Sequence, residues 1–300
     1  MDDAGGRDPM IPSPNAEASA EEGAFVFVRA LAAELSAQEV DLPGFPEIVA
    51  RVRHALADDN VSIEKVARVM AGEPVLSARL LQMANSAALN PGSKPVSELP
   101  AAIMRVGLNV VRSSTIAFAV QQLKHAPALQ GLERPLDALW QRSVHVASLC
   151  FVIARRLTRV SPDTALLAGL LHGIGRLYIL TRASRHRALF ADVATYQAIE
   201  RDWHLSIATA LLEHWGIADE IVLAIRESED FTREPRGAPN LSDVLVAASL
   251  VAAYEGQPEL LAARLLSVRA IGRLQLTRST CETLVRESAQ EIAALREALA

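Results

Sequence analysis

Residues 168–180 read AGLLHGIGRLYIL, an apolar run holding one imidazole, three glycines and, one turn further on, a guanidinium. A neutral imidazole can ligate a metal ion or carry a proton, and an arginine can grip a phosphate through two parallel hydrogen bonds. The same spacing suits a junction between two buried helices. There His172 would bond a backbone carbonyl, and Gly173 and Gly175 would allow a positive φ or a close helix approach. On residue type alone the junction is the simpler account. His204 opens HLSIATALLEHWGI, where capping or packing is again the simpler role. Other chemistries leave no trace: the chain has no GxxxxGK[ST] loop, GxGxxG turn, GxSxG elbow, CxxC pair or HExxH helix. Nor does it contain a His-Asp or His-His pair. Asp58-Asp59 reads as solvated carboxylates in a loop before Ser62 rather than as a catalytic pair.

The elements that would position these residues are helices. Apolar residues recur at spacings of three and four almost throughout, and no strand-length alternation is sustained, so the class is all-α. Helix starts are signalled by Ser62 with Glu64, by Ser97-Glu98, by Ser161-Pro162-Asp163 and by Ser242-Asp243. Trp215-Gly216 reads as an aromatic plug followed by a glycine helix stop, and Trp140 as a core anchor between lobes. Proline and glycine break the pattern at 41–46, 90–95, 125–135 and 232–240. The third break divides an N-terminal lobe of about 23–125 from a second lobe of about 133–255, followed by helices over 257–299. That last segment is either the end of the domain or a homodimer contact. Residues 1–22, acidic and rich in Gly, Pro and Ser, are expected to be disordered.

Composition narrows the function. Half of the 300 residues are apolar, and 30 basic against 35 acidic side chains give a formal charge of −5. No basic block stands out, which argues against nucleic acid as a partner. One local case remains, the 62–87 helix pair joined at Glu73-Pro74, whose second helix offers Arg79, Gln82 and Asn85 to a DNA groove but carries the Leu/Met content of an inward face. Asn85 is expected to bond the backbone of a neighbouring loop instead. The contiguous apolar runs, such as 165–171 and 244–253, are too short to span a bilayer. Two cysteines in helical patterns and no signal-peptide pattern point to a reducing cytoplasm.

Several segments resemble one family in order and spacing. LPGFPEIVARVRHAL (42–56), SIEKVARVMAGEPVLSARLLQMANSA (62–87) and VSELPAAIMRVGLNVVRS (96–113) resemble the start of the HDOD domain, an output module of bacterial signalling proteins. LWQRSVHVASLCFVIARRL (139–157), ALLAGLLHGIGRLYIL (165–180), HLSIATALLEHWGIADEIVLAIRE (204–227) and LSDVLVAASLVA (241–252) continue the resemblance, which covers roughly 40–290. It implies an HD-like helical fold in two packed lobes, with the HDOD domain over 23–290.

HDOD domains are similar to the HD metal-dependent phosphohydrolases, whose His, His-Asp and later Asp hold one or two metal ions. At those positions this chain has Arg142, then His172 followed by Gly173, then Ser249; the His-His pair after the AIR stretch reads Glu227-Ser228. The resemblance therefore implies a degenerate site with no catalytic residues, no metal and no cofactor. It leaves a vestigial pocket of Arg142, His145, His172, Gly173, Arg176, His204 and Ser249, suited to a small phosphate-bearing ligand. The expected function is a non-catalytic signalling scaffold whose partner is a response regulator or a diguanylate cyclase. A phosphohydrolase of nucleotides or cyclic dinucleotides with unconventional ligands is the alternative enzyme reading, and a DNA-binding regulator is the third.

Overall fold

A computed structural model describes residues 14–37, 47–56, 61–86, 89, 94–123, 125–186, 189–190 and 192–299. Every regular element among them is helical, as the periodicity predicts. Asp58-Asp59, the break at 41–46 and most of that at 90–95 lie outside the described residues. So do residues 1–13 of the stretch expected to be disordered, whereas from Pro14 onward that stretch belongs to a helix.

Helices α1 (Pro14–Ala37), α2 (Glu47–Leu56), α3 (Ile63–Met70), α4 (Pro74–Ala84) and α5 (Leu99–Leu123) precede the break at 125–135. Of these, α2–α5 pack on one another as the first lobe. The first helix does not stay with that group but lies against α9 (Val193–His214) of the second lobe. Phe27 meets His186 at 5.3 Å between ring centroids, and Tyr178 Oη donates to Glu34, which also pairs with Arg182 at 3.3 Å.

Ser62 caps α3 by accepting from Lys65 N at 3.1 Å. The α4 helix buries Leu76, Leu80, Met83 and Ala84, the inward face its composition predicts. Asn85 holds both polar atoms of Val96, donating to its carbonyl and accepting from its amide at 2.8 Å each. Within α5, Gly107 sits at φ 79°, a left-handed conformation that breaks the helix in two and favours glycine.

The second lobe is built on α6 (Glu133–Leu157), which lies between α7 (Pro162–Leu171) and α11 (Leu241–Ala253). Around them pack α8 (Ile174–Ala183), α9 and α10 (Asp219–Arg226). Ser161 caps α7 with Pro162 in its first turn, as predicted. For α11 the cap is Asn240, not Ser242: Asn240 and Asp243 exchange side-chain and backbone hydrogen bonds in a capping box. The α9 helix ends as predicted. Gly216, at φ 62°, donates to Glu213 O at 3.0 Å and Ile217 to Leu212 O at 3.0 Å, a Schellman closure.

The chain ends in α12 (Pro258–Ser267), the short α13 (Arg269–Gly272), α14 (Arg278–Glu287) and α15 (Ala289–Leu299). Between them they bury Leu261, Leu265, Cys281, Leu284, Leu295 and Leu299, and α15 touches both α6 and α4. This segment therefore packs on helices of both lobes.

Two stretches do meet the length and composition of a membrane span, contrary to expectation: Leu99–Leu123 and Pro162–Ala183. Contiguous runs missed them because each crosses a helix break. Their apolar windows are 67% and 89% buried inside the protein, so they serve as core helices.

Candidate functional site

The 168–180 junction shows why its glycines are needed. Neither Gly173, at φ −88°, nor Gly175 has a positive φ; the demand is for space. A Cβ on Gly175 would lie 1.9 Å from the carbonyl oxygen of His204 on α9, and one on Gly173 would lie 2.7 Å from Ser143 Oγ on α6. One turn earlier, a Cβ on Gly169 would lie 2.5 Å from the Ala147 Cα. Close packing thus sets the junction of α7 and α8 against the middles of α6 and α9.

Beside that junction a cleft of about 460 Å³ opens, walled by α6, α8, α11, α12 and the turn after α10. Arg142, His172, Arg176 and Ser249, four of the residues the sequence nominated, line it together. His172 caps the end of α7, buried, with Nδ1–H donating to the Gly169 carbonyl at 2.6 Å. Burial, opposed by that hydrogen bond, pushes its imidazole down to about 4. It is therefore neutral near pH 7, with the lone pair on Nε2.

Behind this wall Arg176 joins two carboxylates, donating from Nε to Glu200 at 2.8 Å and from Nη2 to Glu229 at 2.6 Å. His204, fully buried, reaches the other oxygen of Glu229 at 3.2 Å. The hydrogen bond from His204, with further help from Arg176, holds the Glu229 carboxyl down to about 2. The same Nε2 lies 3.1 Å from Arg176 Nη2, so imidazole, guanidinium and the Glu229 carboxylate meet in one contact. His204 thus does more than cap or pack: it locks the carboxylate that orients Arg176.

Two nominated residues stand elsewhere. His145 faces away from the cleft into a separate groove, where Nε2 lies 3.3 Å from Glu255. Three residues along α6 from Arg142, it falls about 60° short of a full turn, and that rotation turns it into the adjacent groove. Gly173 borders a small cavity beside Trp140 and Ser143 instead. Conversely, the cleft contains Ser228, from the motif's His-His position, and residues that the motif reading missed: Glu229 and Phe231 after α10, Tyr254 at the end of α11, and Arg264 and Ser267 on α12. Arg264 Nε donates to Tyr254 Oη at 3.1 Å.

Three guanidinium groups thus share the cleft with one carboxylate. Arg176 is matched by Glu200 and Glu229, but neither Arg142 nor Arg264 forms an ion pair among the described residues. The Oγ of Ser249 is buried with no hydrogen-bond partner. Such a wall favours an anion with several acceptor oxygens.

Comparison with known proteins gives the family. The HDOD domain matches residues 42–231, more than half of the chain. The chain belongs to the HDOD family. No curated protein matches it. Among solved structures, it resembles a protein from Shewanella amazonensis SB2B provisionally named a metal-dependent phosphohydrolase. That match has 23% identity and a TM-score of 0.73, and covers 93% of this chain and all of the other. An HDOD domain protein of unknown function from Geobacter sulfurreducens shares 24% identity at a TM-score of 0.58, covering 90% and 97% of the two chains. A protein from Marinobacter aquaeolei VT8, provisionally named a signal transduction protein, shares 19% identity at a TM-score of 0.55, covering 94% and 66%. Likeness at these identities establishes the fold.

The metal ions that the HD hydrolases suggest do not fit the residues this HDOD protein presents. At the positions that the resemblance implies stand a permanent cation, Arg142, and the hydroxyl of Ser249, and Gly173 supplies no carboxylate beside His172. No group of three His, Cys, Asp or Glu side chains is placed to hold a metal among the described residues.

Proposed function

We propose that this HDOD protein is a non-catalytic signal-transduction module whose cationic cleft takes a small phosphate-bearing ligand. The observation that carries the reading is the charge set of the cleft. Arg142 stands where the resemblance places a histidine ligand, Gly173 and Ser249 where it places carboxylates, and the one carboxylate lining the cleft, Glu229, is already engaged by Arg176 and His204. Guanidinium groups without carboxylate partners favour phosphate and oppose a divalent cation. The signal passes to another signalling protein, such as a response regulator or a diguanylate cyclase, in the cytoplasm. For the ligand to act as a signal it must bind two packings of the lobes with different affinity.

Elemental analysis after dialysis with and without added Mn²⁺, Fe²⁺ and Mg²⁺ tests the non-catalytic part. The expected result is far below one bound ion per chain in every case. Stoichiometric metal, with hydrolysis of a nucleotide or cyclic dinucleotide abolished by His172→Ala, would replace this reading with the phosphohydrolase one.

A further inference from the structure

Tyr254 lines two concavities of opposite character. On one side is the cationic cleft; on the other is a groove of about 390 Å³ between α6, the end of α11, α12 and α14. The two run side by side along the same helix pair. On α6, Arg142 lines the cleft and His145 the groove; on α11, Leu250 lines the cleft and Val251 the groove.

The groove wall is mainly hydrocarbon from Leu149, Val251, Pro258, Leu261 and Val285, with the exposed Glu255, Glu282 and Arg286 also lining it. The buried Cys281 thiol, pushed up by burial, stays protonated and acts as one more apolar surface. Burial likewise holds His145 below the usual imidazole range, so it adds no cation near pH 7. A concavity of this size and lining suits an alkyl or similar apolar group.

The partition is tied to the cleft. Tyr254 Oη accepts from Arg264 Nε, and Arg264 has no carboxylate partner among the described residues. An anion that draws Arg264 to itself weakens the bond that holds the Tyr254 ring in place.

We infer that the cleft and the groove together form one site for an amphiphile: a phosphate head held by Arg142 and Arg264, and a hydrocarbon tail lying past Tyr254 in the groove. This rests on the phosphate-binding reading of the cleft and extends it by naming the class of ligand.

Calorimetric titration of the full chain with glycerol 3-phosphate and with butyl, hexyl and octyl phosphate, each below its micelle concentration, tests the inference. Affinity is expected to rise by about fourfold per methylene along the alkyl series. Val285→Glu should flatten that rise while leaving glycerol 3-phosphate binding unchanged; Pro258→Glu serves the same purpose if the first variant does not fold. Arg264→Ala should weaken every member of the series. If glycerol 3-phosphate binds and the alkyl series is flat, the inference is overturned while the cleft reading stands. If no phosphate binds, both fall. Where the rise is seen, sedimentation with phosphatidylcholine vesicles containing phosphatidic acid identifies the source: co-sedimentation assigns a lipid head group, and its absence a soluble amphiphile.

Discussion

Helix α11 carries two arginine clusters that differ in one respect. At its start, Asp243 is fully buried and both of its carboxylate oxygens are engaged: Oδ1 by Arg233, Oδ2 by Arg273 at 2.9 Å and by the Asn240 amide at 3.0 Å. Arg233 also holds Glu227 at 2.9 Å, and Arg273 donates to the carbonyls of Arg236, Gly237 and Ala238. Two arginines meet two carboxylates and the cluster is closed. Less than two turns further along the same helix, Ser249 faces the cleft, where three arginines meet one carboxylate and the space stays open. The first cluster ties the 232–240 connection and the C-terminal helices to the second lobe; the second leaves cationic charge facing a cavity. The ratio of carboxylate to guanidinium thus separates a structural ion cluster from a candidate binding site.

The sharpest way to break this comparison is at Asp243. Asp243→Ala removes the capping box and leaves two partly buried arginines without their shared partner. Its expected cost is about 3–5 kcal/mol in urea unfolding. A loss under about 1 kcal/mol would mean that the cluster does not hold the fold.

The next effect is a pH dependence at the cleft floor. His172 titrates in the unfolded chain at its ordinary value of 6.5 but in the folded protein only near 4. The unfolded state therefore binds more protons between those values, and stability falls as pH drops through that window, by roughly 3 kcal/mol in total. His172→Gln should remove most of this slope. An equal slope in the variant would assign the effect to other groups.

Glu229 shifts in the same direction at lower pH. Its stabilising ionised form is present above 4.5 and is lost as pH falls toward about 2. The smallest expected effect is that of Arg142→Gln on stability, within about 0.5 kcal/mol, because this exposed side chain has no ion pair among the described residues to lose. The same substitution should lower phosphate affinity about tenfold or more. Loss of stability without loss of affinity would place Arg142 with the structural arginines.

Local signals made much of the fold legible. Ser62 and Ser161 cap where the sequence places them, and the Trp215-Gly216-Ile217 stop forms as read. Asn240, three residues before Asp243, is as local a cap signal as Ser242 and is the one the helix uses. The resemblance carried Arg142, His172 and Ser249 to positions that meet in one cleft, although they are far apart in the chain. What it could not carry was the other wall. Glu229, Tyr254, Arg264 and Ser267 come from a turn and from helices outside the motifs, and no periodicity indicates which face of α12 meets α11. Helix α1 was assigned to the wrong lobe for a related reason: its partners Tyr178, Arg182 and His186 lie some 150 residues downstream, and docking at that separation leaves no local pattern.

The central claim, that unmatched arginines make the cleft a phosphate site independent of metal, is tested most directly by one calorimetric experiment. The wild-type chain is titrated with glycerol 3-phosphate in EDTA and again in Mn²⁺, with Arg142→Glu run alongside. Saturable binding that is equal in both buffers and lost in the variant is the predicted result. Binding that appears only with Mn²⁺, or that survives Arg142→Glu unchanged, would contradict it.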